Sequence, residues 1–225
     1  MSTAPESFQP DAIRERVASH RPTVFRADTP WQAATAVVIA PGDPAPCGAA
    51  GSRPEPDAAA GPTAEHDRLL AAAPVVASIR RAERRGDRFS GDMALPGGVR
   101  EPHDADLAAT AVRETWEEVG VRLPPPVGRL DDHRGRTRRG LVASFVFLLD
   151  HRPPLTPEPA EVAEALWIPL PWLFDQAGAT TMRWAGIPFP AVDYEGRIIW
   201  GLTHRIIRVL GTVLDVAGPS GRLSR

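Results

Sequence analysis

Lysine is absent from this chain, cysteine occurs once, and no apolar run is long. With Cys47 alone, no intramolecular disulfide can form, which fits a reducing compartment. The longest apolar runs, such as residues 141–149, are far too short to span a bilayer. Residues 1–10 are polar and lack the apolar stretch of a signal peptide, so a soluble, cytoplasmic protein is expected. Charge of either sign is not in excess. A net charge of -2 argues against general affinity for nucleic acid or anionic membrane. All 26 basic side chains are arginine, whose planar fork suits phosphate and carboxylate better than an ammonium does. A genome-wide arginine bias leaves the same trace and is the simpler account.

What is present is enough for a real core. A length of 225 residues allows one sizeable domain or at most two small ones, and a hydrophobic fraction of 43% is ordinary for a globular chain. Residues 1–30 read as a polar extension with one helix near residues 11–19. Apolar strands are expected at 33–40, 74–79, 142–149, 163–168 and 197–200, with a further strand in 121–130 interrupted by Pro124 to Pro126. Residues 41–62 are dense in Pro, Gly and Ala and read as a flexible insertion; 64–73 suits a short helix. Residues 131–140 read as a charged loop. Two longer helices are expected. One ends at Val119 before Gly120, and the other covers 202–216 with Ile206, Leu210 and Leu214 at helical spacing. This mixture predicts an α/β layer fold with a mixed sheet.

The most informative stretch is residues 113–118, Arg-Glu-Thr-Trp-Glu-Glu. Glu114, Glu117 and Glu118 stand at i, i+3 and i+4, so a helix gathers them on one face. Carboxylates that close raise one another's proton affinity, which a fold tolerates in full solvent or uses to hold a divalent cation. Asp104 or Asp106 is placed to cap this helix. Leu107 or Ala108, then Val112, Trp116 and Val119, form its apolar stripe, and Trp116 and Trp167 are expected in the core. Upstream, Pro96-Gly97-Gly98 is a turn signal, and Arg80, Arg81, Arg84, Arg85 and Arg88 form a basic segment. His103 and His133 are expected in loops and outside the site.

Residues 113–121 match the right half of the pattern R-E-U-x-E-E-x-G-U, with Thr115 in an aliphatic position, and the chain thus resembles the Nudix hydrolases. Farther left, Pro96-Gly97-Gly98-Val99-Arg100-Glu101-Pro102-His103-Asp104 and Thr110-Ala111-Val112-Arg113-Glu114 look like the coenzyme A diphosphatase branch. So do residues 161–170 and 199–203. Phe89 stands where that branch carries histidine, which separates the implied reaction from the implied substrate. The resemblance implies a Nudix-type α/β/α sandwich over 31–216, followed by a tail at 217–225. It implies a hydrolase that cleaves diphosphate bonds with Mg2+ or Mn2+. Glu114, Glu117, Glu118 and the Gly97 carbonyl would be metal ligands, and Arg113 would orient Glu117. In such hydrolases the general base is either a glutamate of the helix, which keeps Glu114 and Glu117 among the catalytic candidates, or an acid from a distant loop, for which Glu161 is the candidate, with Glu164 behind it. Arg80, Arg81 and Arg88 are candidates for substrate phosphate. The implied partner is a small nucleoside diphosphate derivative, coenzyme A-like in the first instance. ADP-ribose, NADH or a dinucleoside polyphosphate are alternatives, as is a metabolite-binding module without catalysis. The oligomeric state stays open, with a homodimer among the options.

Overall fold

In β1 (Gln32–Ala40) alternate side chains enter two different cores. Val37 and Ile39 join one apolar cluster; Ala34, Ala36 and Val38 join another on the opposite face. β7 (Leu141–Leu148) pairs parallel to β1 and is buried throughout, dividing Val146 and Leu148 from Ala143, Phe145 and Phe147 in the same way. A sheet buried on both faces requires a layer on each, which is why these strands read as continuous apolar runs. The structure, a computed structural model, describes residues 6–25, 29–42, 72–84, 86, 89–134 and 140–216.

The first face is covered by α1 (Pro10–Ser19) and α3 (Gly201–Val213). They contribute Ile13 and Val17, and Ile206, Ile207 and Leu210, with Phe8 and Leu214 beside them. Residues before 31 thus share in the core. The second face is covered by α2 (Leu107–Val119), which packs through Ala111. β1 is flanked by β2 (Val75–Arg81), which pairs along its far edge with β8 (Val162–Pro169) and, beyond the end of its pairing with β1, with β3 (Met93–Ala94). β4 (Gly97–Val99) also pairs with β1, while β5 (Gly128–Arg129) and β6 (His133–Arg134) pair with β7. With one parallel pair and the other pairs antiparallel, the sheet is mixed, and the architecture is α/β.

Several expectations are corrected. Among 121–130 only two residues form a strand, because Pro124 to Pro126 remove three ladder donors. His133 lies in a short strand and is buried, not in a loop. The insertion at 41–62 is described only for Pro41 and Gly42, and the helix expected at 64–73 only for its last two residues. The strand expected at 197–200 is β11 (Arg197–Ile199), but it belongs to a second sheet whose other two strands were not expected: β9 (Ala179–Trp184) and β10 (Ile187–Tyr194). Pro188 and Pro190 disguise β10. They lie where it pairs with β9 alone, before β11 joins at Val192, so one side of the strand needs no donor there.

Trp116 is 47% exposed and is not a core residue. The stripe of α2 that is buried runs through Ala111, Thr115, Glu118 and Val119, rotated toward the acids from the stripe expected. Trp116 instead lies under the Arg122 guanidinium, 4.3 Å from the ring centre. Trp116→Ala should therefore cost less than about 1 kcal/mol, the worth of an exposed cation–π contact. A core tryptophan would cost about 3–5 kcal/mol, and urea denaturation distinguishes the two.

Candidate active site

Two aspartates stand at the start of α2 and do different work. Asp106 is the N-cap and accepts from the Ala109 N–H at 2.8 Å. Asp104 is buried and accepts from the Glu101 N–H and the Thr110 hydroxyl, each at 2.9 Å. Both its oxygens also receive Arg113: Nε to Oδ1 and Nη2 to Oδ2, each at 3.0 Å. The Arg113 bond holds the Asp104 carboxyl well below the usual carboxylate range, and the same bond raises the Arg113 guanidinium above its own.

Fixed this way, Arg113 presents its remaining donor to the acid face. Nη1 donates to Glu117 Oε2 at 2.7 Å, and Nη2 lies 3.0 Å from Glu114 Oε1 while also reaching the Val99 carbonyl at 3.2 Å. The three glutamates are graded by depth. Glu117 is exposed, Glu114 is nearly covered, and Glu118 retains only 3% of its surface. Glu118 Oε2 accepts from the Gly97 N–H at 2.8 Å. Burial pushes the Glu118 carboxyl up to about 8; the Gly97 bond and the Arg81 charge oppose that, and the charges of Glu114 and Glu161 add to it. Glu114 is also raised, by burial first, against the pull of Arg113.

The far end of the helix is closed by the chain leading into β8. Gly120 adopts φ 68, and the Thr156 and Glu158 N–H groups donate to the Val119 and Glu118 carbonyls at 2.9 and 3.0 Å. This cap delivers Glu161 close enough for its charge to act on Glu114 and Glu118. Arg84 Nη2 holds Glu161 Oε1 at 2.9 Å and the Ala160 carbonyl at 2.8 Å. Glu164 is engaged differently. Arg197 bonds to it through Nε at 3.1 Å and through Nη2, and Arg80 Nε lies 3.3 Å away; the Arg197 bonds lower its pKa. Arg80 is therefore spent in an ion pair. Arg81 ends β2 with its charge acting on Glu118, and Arg88 lies outside the described residues.

The geometry thus brings Glu114, Glu117, Glu118, Arg113, Gly97 and Glu161 to one place. Among the described residues, no three His, Cys, Asp or Glu side chains converge as they stand into a closed metal cage. Glu117 turns to Arg113 and Glu118 to Gly97. The donor set is nonetheless all oxygen and fits a hard divalent cation. Gly98 supports that fit: a Cβ there would lie 2.4 Å from the Glu114 carboxyl carbon, so the backbone turn is shaped around this carboxylate. Gly98→Ala should displace Glu114, lower turnover at least about tenfold and weaken metal binding, with the thermal midpoint little changed. Metal-dependence curves for both proteins test this.

Sequence reasoning missed the Asp104 clamp and the Arg84 support of Glu161. Asp104 carried a signal, an acid nine residues before Arg113 across a helix start. Arg84 carried none that separates it from its basic neighbours.

The sequence model of the NUDIX domain matches residues 71–185. An uncharacterized Schizosaccharomyces pombe protein is 42% identical over 110 residues, covering 45% of this chain and 33% of that protein. The peroxisomal coenzyme A diphosphatase of Mus musculus is 38% identical over 92 residues, covering 37% of this chain and 36% of that enzyme. The chain therefore spans about a third of the length of these relatives. A MutT/nudix family protein from Enterococcus faecalis shares the fold, with a TM-score of 0.50 at 16% identity over 85% of this chain and 65% of that one. With more than half its residues matched, and with the acid helix and glycine turn in register, this chain belongs to the Nudix family.

Proposed function

We propose that this protein is a divalent-metal-dependent hydrolase of diphosphate bonds in nucleoside diphosphate derivatives, coenzyme A-like in class. The observation that carries this is Glu118: a carboxyl almost without solvent, beside Glu114 and within reach of the charge of Glu161. Such an arrangement is costly alone and favourable with a cation present. The coenzyme A-like class rests on the segments at 96–104 and 161–170 and on the likeness to the Mus musculus enzyme.

Glu114, Glu118 and Glu117, with the Gly97 carbonyl, are the groups that would hold Mg2+ or Mn2+. When bound, such an ion neutralises phosphate oxygens and lowers the pKa of water. The chain's own residues do the rest. Asp104 immobilises Arg113, and Arg113 holds Glu117 at its position through the bond at 2.7 Å. Glu161, held by Arg84, is the candidate to take the proton from the attacking water. The water oxygen forms a bond to one phosphorus, the bridging P–O bond breaks, and two phosphate-containing products leave. Arg81 is placed to offset negative charge on the substrate.

A hydrolysis panel with product identification, run with each metal, tests this. Release of adenosine 3′,5′-bisphosphate and phosphopantetheine from coenzyme A is the expected result. Turnover of ADP-ribose, NADH or dinucleoside polyphosphates without coenzyme A would reassign the substrate class. Tight binding with no hydrolysis of any of them would sink the catalytic reading.

A further inference from the structure

Glu161 is gripped from one side by the chain that joins β2 to β3. The Ala82 N–H donates to the Glu161 carbonyl at 2.8 Å, just past the end of β2. Arg84 then reaches the same turn with its side chain. Nη2 donates to the Ala160 carbonyl at 2.8 Å and to Glu161 Oε1 at 2.9 Å, and Nε lies 3.3 Å from the same carbonyl. On its other side the turn is pinned to the acid helix. The Glu158 N–H donates to the Glu118 carbonyl at 3.0 Å, and the Glu161 N–H to the Glu158 carbonyl at 2.9 Å. The Glu161 carboxylate thus stands on a main chain fixed by both neighbours.

Arg84 is itself held by Ser90. The Ser90 hydroxyl accepts from the Arg84 N–H at 2.8 Å and donates to the Arg84 carbonyl at 3.0 Å. A hydroxyl carries a proton and two lone pairs, so this one side chain serves both main-chain groups of Arg84 as a neighbouring strand would. Backbone bonds join Arg81 to Gly91 and Asp92, and Ser90 extends that pairing to Arg84.

Two features separate this clasp from an ordinary surface ion pair. The side chains of Arg84 and Glu161 are 49% and 47% exposed, and a pair that open adds little stability. The grip also takes one oxygen only. Among the described residues no donor bonds to Glu161 Oε2, which leaves it able to accept a proton from water. A fork such as Arg113 makes with Asp104 would occupy both oxygens.

We propose that Ser90 and Arg84 are positioning residues of the hydrolysis: Ser90 sets the Arg84 main chain, and Arg84 aims Glu161 by one oxygen so that Oε2 takes the proton of the attacking water. The proposal deepens the diphosphate-hydrolase reading and rests on it. The water oxygen bonds to phosphorus, its proton passes to Oε2, and the electron pair of the broken P–O bond leaves with the departing phosphate group. Ser90 and Arg84 act through Glu161 and not on the substrate.

Ser90→Ala, Ser90→Thr, Arg84→Ala, Glu161→Gln and the double variant Ser90→Ala/Glu161→Gln are assayed as full chains, with magnesium, on the fastest substrate of the panel. Circular dichroism checks that each is folded. A misplaced base costs rate rather than affinity, so Ser90→Ala should lower kcat about 3- to 30-fold and Arg84→Ala about 10- to 100-fold, with KM within about twofold. Ser90→Thr keeps the hydroxyl and should recover most of the loss. In the Glu161→Gln background Ser90→Ala should change kcat less than about twofold, because the group it aims is already gone. Calorimetric titration with Mn2+ should give the same affinity for wild type, Ser90→Ala and Arg84→Ala. Full kcat in Ser90→Ala, a loss that multiplies with that of Glu161→Gln, or a loss confined to KM would overturn the positioning role while the hydrolase stands. Weakened Mn2+ binding would make Glu161 a metal ligand and overturn it too. If wild type turns over no substrate, the hydrolase reading fails and this role fails with it.

Discussion

Glu118→Gln should lower turnover by more than about 100-fold while making the metal-free protein more stable at alkaline pH. The two effects have one origin. Burial raises the folded pKa of Glu118 to about 8 from an ordinary 4.5. A raised carboxyl favours folding at pH below 4.5, and that contribution disappears as pH rises through about 8. Glutamine keeps an oxygen for the Gly97 N–H and carries no charge to bury. The thermal midpoints of variant and wild type should therefore lie close together at pH 5. They should separate by pH 8, with the variant ahead by on the order of 1–3 kcal/mol. Added Mg2+ should raise the wild-type midpoint at pH 8 and leave the variant almost unmoved. A variant with full activity, or one less stable than wild type at pH 8, would remove Glu118 from the site.

Arg113→Ala should act in the opposite direction. It leaves Asp104 buried without its main partner, and breaking a buried pair from one side costs about 3–5 kcal/mol. The native pair holds the folded pKa of Asp104 below its ordinary 3.8. Its stabilisation is thus present above that value and lost as pH falls through the lowered one. In the variant Asp104 can be accommodated only by taking a proton, so the deficit should be largest at neutral pH and smaller near pH 4. Turnover should fall as well, because Glu117 loses the donor that fixes it. Arg113→Lys cannot reach both Asp104 oxygens and Glu117 at once, and should recover only part of the stability. Denaturant midpoints between pH 4 and 7 measure this; a deficit independent of pH would disprove the clamp.

Much of this site was legible because it is local. Glu114, Glu117 and Glu118 lie within five residues, and helical geometry alone gathers them on one face. The i,i+4 spacing of Arg113 and Glu117 and the φ of Gly120 follow from the same geometry. The strands at β1, β2 and β7 were legible because a doubly buried strand is a continuous apolar run. The β9–β10 hairpin was not, because prolines in a half-paired strand imitate a loop. Trp116 was misassigned because hydrophobicity does not report which side of a helix meets a neighbour.

By itself the sequence determined which chemistry is available: oxygen ligands on one helix turn, arginine as the sole strong cation, and a glycine turn before the helix. Only the tertiary structure decided how these groups differ. Depth under the sheet separates a buried Glu118 from an exposed Glu117, although the two are neighbours in the chain. The fold also spends Arg113 on Asp104 and Arg80 on Glu164, while Arg84 holds Glu161 beside the acids. The reason is physical. Proton affinity and ion pairing depend on solvent exclusion and on distances between residues far apart in sequence, and those exist only once the layers are packed.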